Sequence, residues 1–385
     1  MINSENKREL SELEKRLAEE ILKIKEPDSD VEAVARSRQN SLAKVPGSLG
    51  RLEEISIRLA GITGKPQGNT ADKQAIVIMC GDSGVVEEGV ASAPQTVTLM
   101  QTINFTKGIT GVSSQTKFFG IDLLVVDVGV KLPIPAEFLT EKMLERGLAN
   151  KVVNRRIASG TRNMIKEPAM TKEEALRAIL TGIEAAEAVK QAGKNILGIG
   201  EMGIGNSTAA ANLICRFTGT SPEEVVGRGG GLSDEGLEKK INVVREVLEK
   251  YLSSDPIEIA ASMSCFEICA MAGAYIGGAA RQIPMVVDGY ISVAAALLAC
   301  EIAPMTGKYL FMSHRSQEPG YAAAVKKLGI EPFFDLEMKL GEASGCPIAF
   351  KIMEAACAVM NGMATLKEGE IDSAYLEDLM EKGML

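Results

Sequence analysis

The sequence predicts an α/β fold, a parallel sheet flanked by helices, with a smaller helical domain formed from the N- and C-terminal segments. Three observations carry that prediction. From Gln74 onward, short apolar runs each stop at a polar residue: AIVIMC runs into Gly81-Asp82, LLVV into Asp127, NILGIG into Glu201, IPMVV into Asp288-Gly289 and YLFM into Ser313-His314. Apolar runs without alternation suit strands covered on both faces, and therefore a parallel sheet. Helical stretches such as 172–192 and 292–302 separate these runs, giving a Rossmann-like βα alternation. Finally, 385 residues exceed what one core usually supports.

Taken in order, residues 4–25 place Leu and Ile at helical spacing among charges, and a second helical stretch near 48–59 follows the turn-forming Pro46-Gly47. The apolar runs then build the sheet. From about Pro332 onward the composition is helical again. The expected organisation is an N-terminal helical part at 1–66, an α/β domain at 67–330, and a C-terminal helical segment at 331–385 that completes the small domain, since lone helices must bury a face. Ligands of open α/β sheets bind outside the carboxyl ends of the strands, so the residues just after each run are the pocket candidates.

Composition removes several classes of function. Hydrophobic residues at 46% and charged residues at 24% exclude a disordered tail or a coiled coil. The single histidine, His314, excludes histidine-rich metal sites, so acid/base work falls on Glu, Asp, Lys or His314. A formal charge of −9 argues against a nucleic-acid surface. The seven cysteines sit mostly in apolar runs without a CxxC pair and read as reduced core residues. The N-terminal stretch has no apolar signal region, and the longest apolar run, 268–280, is shorter than a membrane span of about 20 residues. A cytoplasmic protein without a membrane span is expected.

Of the 38 glycines, eight fall in two loops, at 198–205 and 227–231. In GIGEMGIGNSTAAANLICRFTG, residues 198–219, a strand enters a glycine turn and then a helix opened by Asn206, Ser207 or Thr208. Free N–H groups and the positive helix end make an anion site there, with phosphate as its natural guest. The spacing Gly198-x-Gly200-x-x-Gly203, with Glu223 about twenty residues on, also fits a dinucleotide fingerprint, and a tight turn without a ligand fits too. The second loop, GRGGG at 227–231, leads into a helix whose Lys239 or Lys240 either reaches a bound phosphate or stays solvated. His314 is either a pocket acid or a structural histidine.

Several co-linear blocks carry a resemblance: GEMGIGNSTAA (200–210), GRGGGLSDEGLEKK (227–240), SHRSQEPG (313–320), LGEASG (340–345), LAKVPGSLGRLEE (42–54), GDSGVVEEGVASAPQTVT (81–98) and VVDVGV (125–130). Together they resemble the nicotinate-nucleotide:dimethylbenzimidazole phosphoribosyltransferase family of cobamide biosynthesis, over about residues 30–365. The resemblance implies transfer of a 5-phosphoribosyl group from nicotinate mononucleotide to a lower-ligand base, releasing nicotinate. It implies Glu342, in the C-terminal segment, as general base and Glu201 as an acid near ribose and nicotinate. It assigns the phosphate and ribose to Gly203, Gly205, Lys240, Gly289 and Ser316, and the base pocket to Asp82, Ser83 and Gln95. Neither metal nor cofactor is expected, because the substrate carries its own cationic leaving group. A homodimer is implied.

The departures from the family pattern are Ser83 for a histidine, Gly230 for a threonine, Tyr321 for a histidine, Ser264-Cys265 for a Gly-Gly pair, and Cys346-Pro347 for an alanine pair. Most are expected near the base and ribose pockets, leaving base identity open. The sequence also admits two rival functions: an NAD-dependent oxidoreductase built on the glycine fingerprint, and a non-catalytic paralogue or subunit that binds a phosphorylated ligand.

Overall fold

The structure, a computed structural model, describes residues 4–144, 147–372 and 374; the remainder, including 375–385 of the expected C-terminal segment, lies outside the described residues. Eight strands form one sheet: β1 (Gln74–Gly81), β2 (Asp122–Gly129), β3 (Leu139–Thr140), β4 (Val152–Asn154), β5 (Ile196–Met202), β6 (Met285–Val287), β7 (Leu310–His314) and β8 (Pro332–Phe334). Their order is β3-β4-β2-β1-β5-β6-β7-β8, and every neighbouring pair is parallel. Every residue of β1 is buried, which is why its sequence is apolar without alternation. This is the predicted α/β architecture.

The five apolar runs became β1, β2, β5, β6 and β7. The strands absent from the sequence reading, β3, β4 and β8, have two or three residues each and are partly exposed, so they give neither a periodic signal nor an apolar run, whereas the equally short β6 is wholly buried. β8 also corrects the expectation of helix from Pro332 onward. Its proline opens an edge strand, a position where the missing N–H costs no ladder bond. From β1 the chain moves to β2 on one side and later returns at β5 on the other, so the order reverses between β1 and β5. That reversal opens a crevice at the carboxyl ends of the two strands.

The helices covering the sheet approach one another through glycine. The helix Lys172–Gln191 starts on a capping box made by Thr171 and Glu174. It lies against the helix Phe266–Ala280 so closely that a Cβ at Gly182 would fall 1.8 Å from the Ala270 carbonyl oxygen, and one at Gly273 would fall 1.8 Å from that of Ile179. The helix Ser4–Ile21 joins this layer by burying Leu13 and Leu17 and through ion pairs of Glu14 with Lys172 and Glu20 with Arg281, each 2.9 Å.

The chain divides into two compact units, 1–25 with 74–349, and 26–73 with 350–385. Unlike the division read from composition, this one places the first helix and residues 331–349 with the sheet, for the helix because of the contacts just described. In the smaller unit the helices Ser29–Ser41 and Arg51–Thr63 bury Ala35, Ile57 and Ala60 with Met360. Glu53 accepts the N–H groups of Gly47 and Leu49 at 3.1 and 3.0 Å, which fixes the turn written as Pro46-Gly47.

Gly273→Ala is expected to push the two packed helices apart and destabilise the protein by about 1–3 kcal/mol, as overpacking does. Thermal unfolding reads this directly, and an unchanged midpoint would contradict the close approach.

Candidate active site

The crevice at the strand ends holds a cavity of about 390 Å³, and all of its lining belongs to the larger unit. Residues following β5, β6 and β7 supply its floor, the stretch 90–97 one wall, and the loop 339–342 another. Of the residues singled out from sequence, Glu201, Gly203, Gly205, Gly289, Ser316 and Glu342 all line it. Lys240 lies directly beneath.

The glycine turn opens the helix Asn206–Thr218, with Gly205 at a left-handed φ of 96° as its cap. Asn206 and Ser207 line the cavity, so the positive end of the helix faces it. Lys240 is buried and donates from Nζ to Ser207 Oγ at 2.9 Å and to the Gly227 carbonyl at 3.2 Å, tying the second glycine loop to this helix start. Burial pushes its ammonium down to about 8, partly opposed by Glu318. Lys239, by contrast, is exposed on the same helix.

Opposite the glycine turn stand three carboxyls. Glu342 is buried in a turn where Gly341, Glu342 and Ala343 all take left-handed φ values of 84°, 60° and 61°. Two successive non-glycine residues in that region store strain and concentrate at functional sites. Glu342 Oε1 accepts a 2.8 Å hydrogen bond from Gln101 Nε2, while Oε2 has no partner among the described residues. Glu201 accepts from Asn206 Nδ2 at 2.5 Å and from the backbone N–H of Glu342, yet burial raises it to about 7. Asp288 is likewise raised to about 7 by burial, although the N–H of Gly345 donates to it at 2.7 Å.

His314 proves to be a neutral side chain. Burial lowers it to about 4, so its 3.7 Å separation from Asp288 Oδ1 is not an ion pair, and Nδ1 instead lies 3.0 Å from Ser313 Oγ. It lines the cavity without being an acid at neutral pH.

Asp82, Ser83 and Gln95 lie together behind the cavity wall. Asp82 is buried and accepts from Thr98 Oγ1 at 2.7 Å and from the N–H of Lys131 at 2.8 Å. Gln95 donates to the Ser83 carbonyl at 3.1 Å, and Ser83 backs the turn at Gly205. The neighbours Val90, Ala93 and Val97 line the cavity itself. Among the departures from the family pattern, Gly230 lines the cavity, whereas Tyr321 is buried and donates its hydroxyl to the His314 carbonyl at 2.6 Å. Ser264 and Cys265 are buried. Cys346 points at the Val286 carbonyl rather than at Glu342.

The dinucleotide fingerprint has a different explanation. Gly198 and Gly200 lie within β5, and a Cβ on them would fall 2.8 Å from Cys346 Cβ and 2.4 Å from the Ala343 nitrogen. They make room for the loop carrying Glu342. Glu223 is exposed and paired with Arg245, away from any ribose site. Sequence reasoning missed Gln101 and Asn206 as partners of the two glutamates, and 241 residues separate Gln101 from Glu342, so no local spacing could have linked them.

Glu201, Asp288 and the buried Glu267, itself raised to about 8, hold protons that the unfolded chain has released. Stability from such raised carboxyls is lost as pH rises through about 7 and about 8, whereas His314 has exerted its effect by about 6.5 and Lys240 acts only above about 8. The unfolding midpoint of the substrate-free protein therefore falls between about pH 6.5 and about pH 8; a flat or rising midpoint would contradict these protonation states.

A phosphoribosyltransferase family model matches residues 24–371. The chain is 48% identical to a nicotinate-nucleotide–dimethylbenzimidazole phosphoribosyltransferase of Clostridium perfringens, over 94% of this chain and 98% of that one. With the same-named protein of Clostridium tetani the identity is 40%, over 96% and 99%. The crystal structure of CobT from Thermus thermophilus superposes with a TM-score of 0.83 at 38% identity, covering 89% of this chain and 99% of that one. With nearly full-length matches and a shared fold, the chain belongs to the nicotinate-nucleotide–dimethylbenzimidazole phosphoribosyltransferase family.

Proposed function

We propose that the protein transfers the 5-phosphoribosyl group of nicotinate mononucleotide to a benzimidazole-type base, giving an α-riboside 5′-phosphate and nicotinate for the cobamide nucleotide loop. The observation that carries this reading is the two-ended cavity, with a helix N-terminus above a buried lysine at one end and paired glutamates at the other. The phosphate sits at the backbone of Gly203 and Gly205, near Ser207, with Gly289 and Ser316 alongside. Lys240 supplies the charge through its contact with Ser207.

A ring nitrogen of the base attacks C1′ of the ribose as the bond from C1′ to the pyridinium nitrogen breaks. The departing pyridinium takes the electron pair and leaves as nicotinate. Glu342 accepts the proton of the attacking base's second ring nitrogen, and its unpartnered Oε2 is the acceptor. Glu201, on the same wall, faces the positive charge that develops on the ribose. A cationic substrate favours the ionised form of Glu201, opposing the burial that raises it.

The base end is apolar. Val97 and Leu340 line the cavity although 39% and 60% exposed, a surface suited to covering a flat aromatic ring. Asp82, Ser83 and Gln95 act there from behind by fixing the wall. The protein works as a homodimer in the cytoplasm, and seven free cysteines suit a reducing compartment.

Incubating the chain with nicotinate mononucleotide and a panel of benzimidazole, purine and phenolic bases is expected to release nicotinate and yield a riboside phosphate detectable by mass spectrometry. No product with any base would reject the reading. Glu342→Gln is expected to keep nucleotide binding and lose turnover by about 100-fold or more, in the range of general-base catalysis. Leu340→Ala should raise KM for the base by about 10-fold and leave KM for the mononucleotide nearly unchanged, whereas equal effects on both would displace Leu340 from the base pocket.

A further inference from the structure

One carboxyl of the larger unit has no role in the reaction just described. Glu267 is fully buried in the first turn of the helix Phe266–Ala280, and among the described residues its carboxyl finds only its own backbone N–H and the Cys265 thiol, neither in good hydrogen-bond geometry. The start of this helix reaches toward the carboxyl ends of the central strands through glycines. A Cβ at Gly129 would fall 2.5 Å from the Phe266 ring, one at Gly81 would fall 2.6 Å from Glu267 Oε2, and one at Gly203 would fall 2.1 Å from Glu267 Oε1. The last position is also 2.4 Å from the Gly81 carbonyl oxygen. Two oxygens therefore converge across Gly203, the glycine whose backbone lines the cavity.

The surroundings of Glu267 decide its charge. The titratable groups bearing on it are all acids: Asp82 after β1, Glu201 on β5, Cys80 on β1, and Cys265 and Cys269 at the start of its own helix. A carboxylate facing only acids in a dry interior is strongly disfavoured, and the carboxyl keeps its proton instead. Two facing oxygens attract one another only when one carries a proton. A leucine or methionine would fill the same volume without burying polar atoms. An acid so poorly satisfied at this point therefore calls for an explanation in terms of the site.

We propose that Glu267 is a positioning residue of the phosphoribosyl site: as an uncharged acid it links the ends of β1 and β5 at Gly81 and Gly203, and so sets the glycine turn that holds the phosphate. The inference rests on the proposed reaction for its readout. Its proton faces the Gly81 carbonyl, and an ionised Glu267 would repel both that oxygen and Glu201. Glu267 touches no substrate and acts through the turn.

The test compares the full-length wild type with Glu267→Gln, which keeps a donor and the volume, and with Glu267→Met, which keeps only the volume. Kinetics with nicotinate mononucleotide and benzimidazole are read beside unfolding midpoints. Glu267→Gln is expected to hold kcat/KM within about 3-fold, while Glu267→Met raises KM for the mononucleotide by about 10-fold or more and leaves KM for the base within about 3-fold. Burial raises Glu267 to about 8, so the activity of the wild type relative to Glu267→Gln should fall as pH is taken from about 7 to about 9. Lys240 titrates equally in both proteins and cancels in that ratio.

Methionine performing as well as glutamine would reduce Glu267 to a space-filler and overturn the proposal. So would a folded glutamine variant as impaired as the methionine one, which would mean that the ionised form is needed. A ratio independent of pH would also overturn it, and this measurement still decides if the methionine variant fails to fold. If the wild type itself shows no transfer, the proposed reaction fails separately, and calorimetric binding of nicotinate mononucleotide to the three proteins then tests the positioning role.

Discussion

The site depends on how closely other backbone can approach β5. With hydrogen in place of side chains at Gly198 and Gly200, the loop 341–346 lies directly on the strand, with Ala343 against Gly200 and Cys346 against Gly198. Gly341 in turn lies so near Glu201 that a Cβ there would fall 2.8 Å from the carboxyl. This contact brings together two glutamates far apart in the chain. It also accounts for the left-handed run at 341–343, since the loop must turn sharply while pressed on the sheet.

That approach sets the electrostatics of the pocket. Docking the loop on the strand ends excludes water from Glu201 and Asp288 and raises both carboxyls. Glu201 and Asp288 are thus a store of half-protonated acids until a cationic substrate arrives. At the other end Lys240 is buried, its ammonium bonded to no carboxylate among the described residues, and is ready for an anion. A pyridinium nucleotide carries both charges, positive at the ring and negative at the phosphate, and it matches the cavity end for end.

Much of this was legible in the sequence, though not always for the right reason. The strands β1, β2, β5 and β7 could be read because near-complete burial leaves no polar alternation, and the three-residue β6 because it is wholly buried within the apolar run IPMVV, while β3, β4 and β8 are short and partly exposed and show no period. The anion turn at Gly203 and Gly205 was visible because helix start signals are local. Gly198 and Gly200 attracted attention as ligand-facing glycines, whereas they serve a chain segment some 140 residues later; only the folded contact reveals that. Asp82, Ser83 and Gln95 were assigned to the base pocket by family pattern, and the structure sets them in the layer behind its wall. Gln101 and Glu267 lay beyond reach of spacing arguments, because their partners come from distant strands and loops.

The account's central claim is that docking of the 341–346 loop on a glycine-faced β5 creates the reactive pair. The most direct test is the turnover of Gly200→Ala with nicotinate mononucleotide and benzimidazole, with circular dichroism to establish that the sheet is intact. A methyl group at that position must displace the loop, so the account predicts a folded protein that still binds the mononucleotide and has lost about 100-fold or more in kcat. A folded Gly200→Ala protein turning over at the wild-type rate would contradict it.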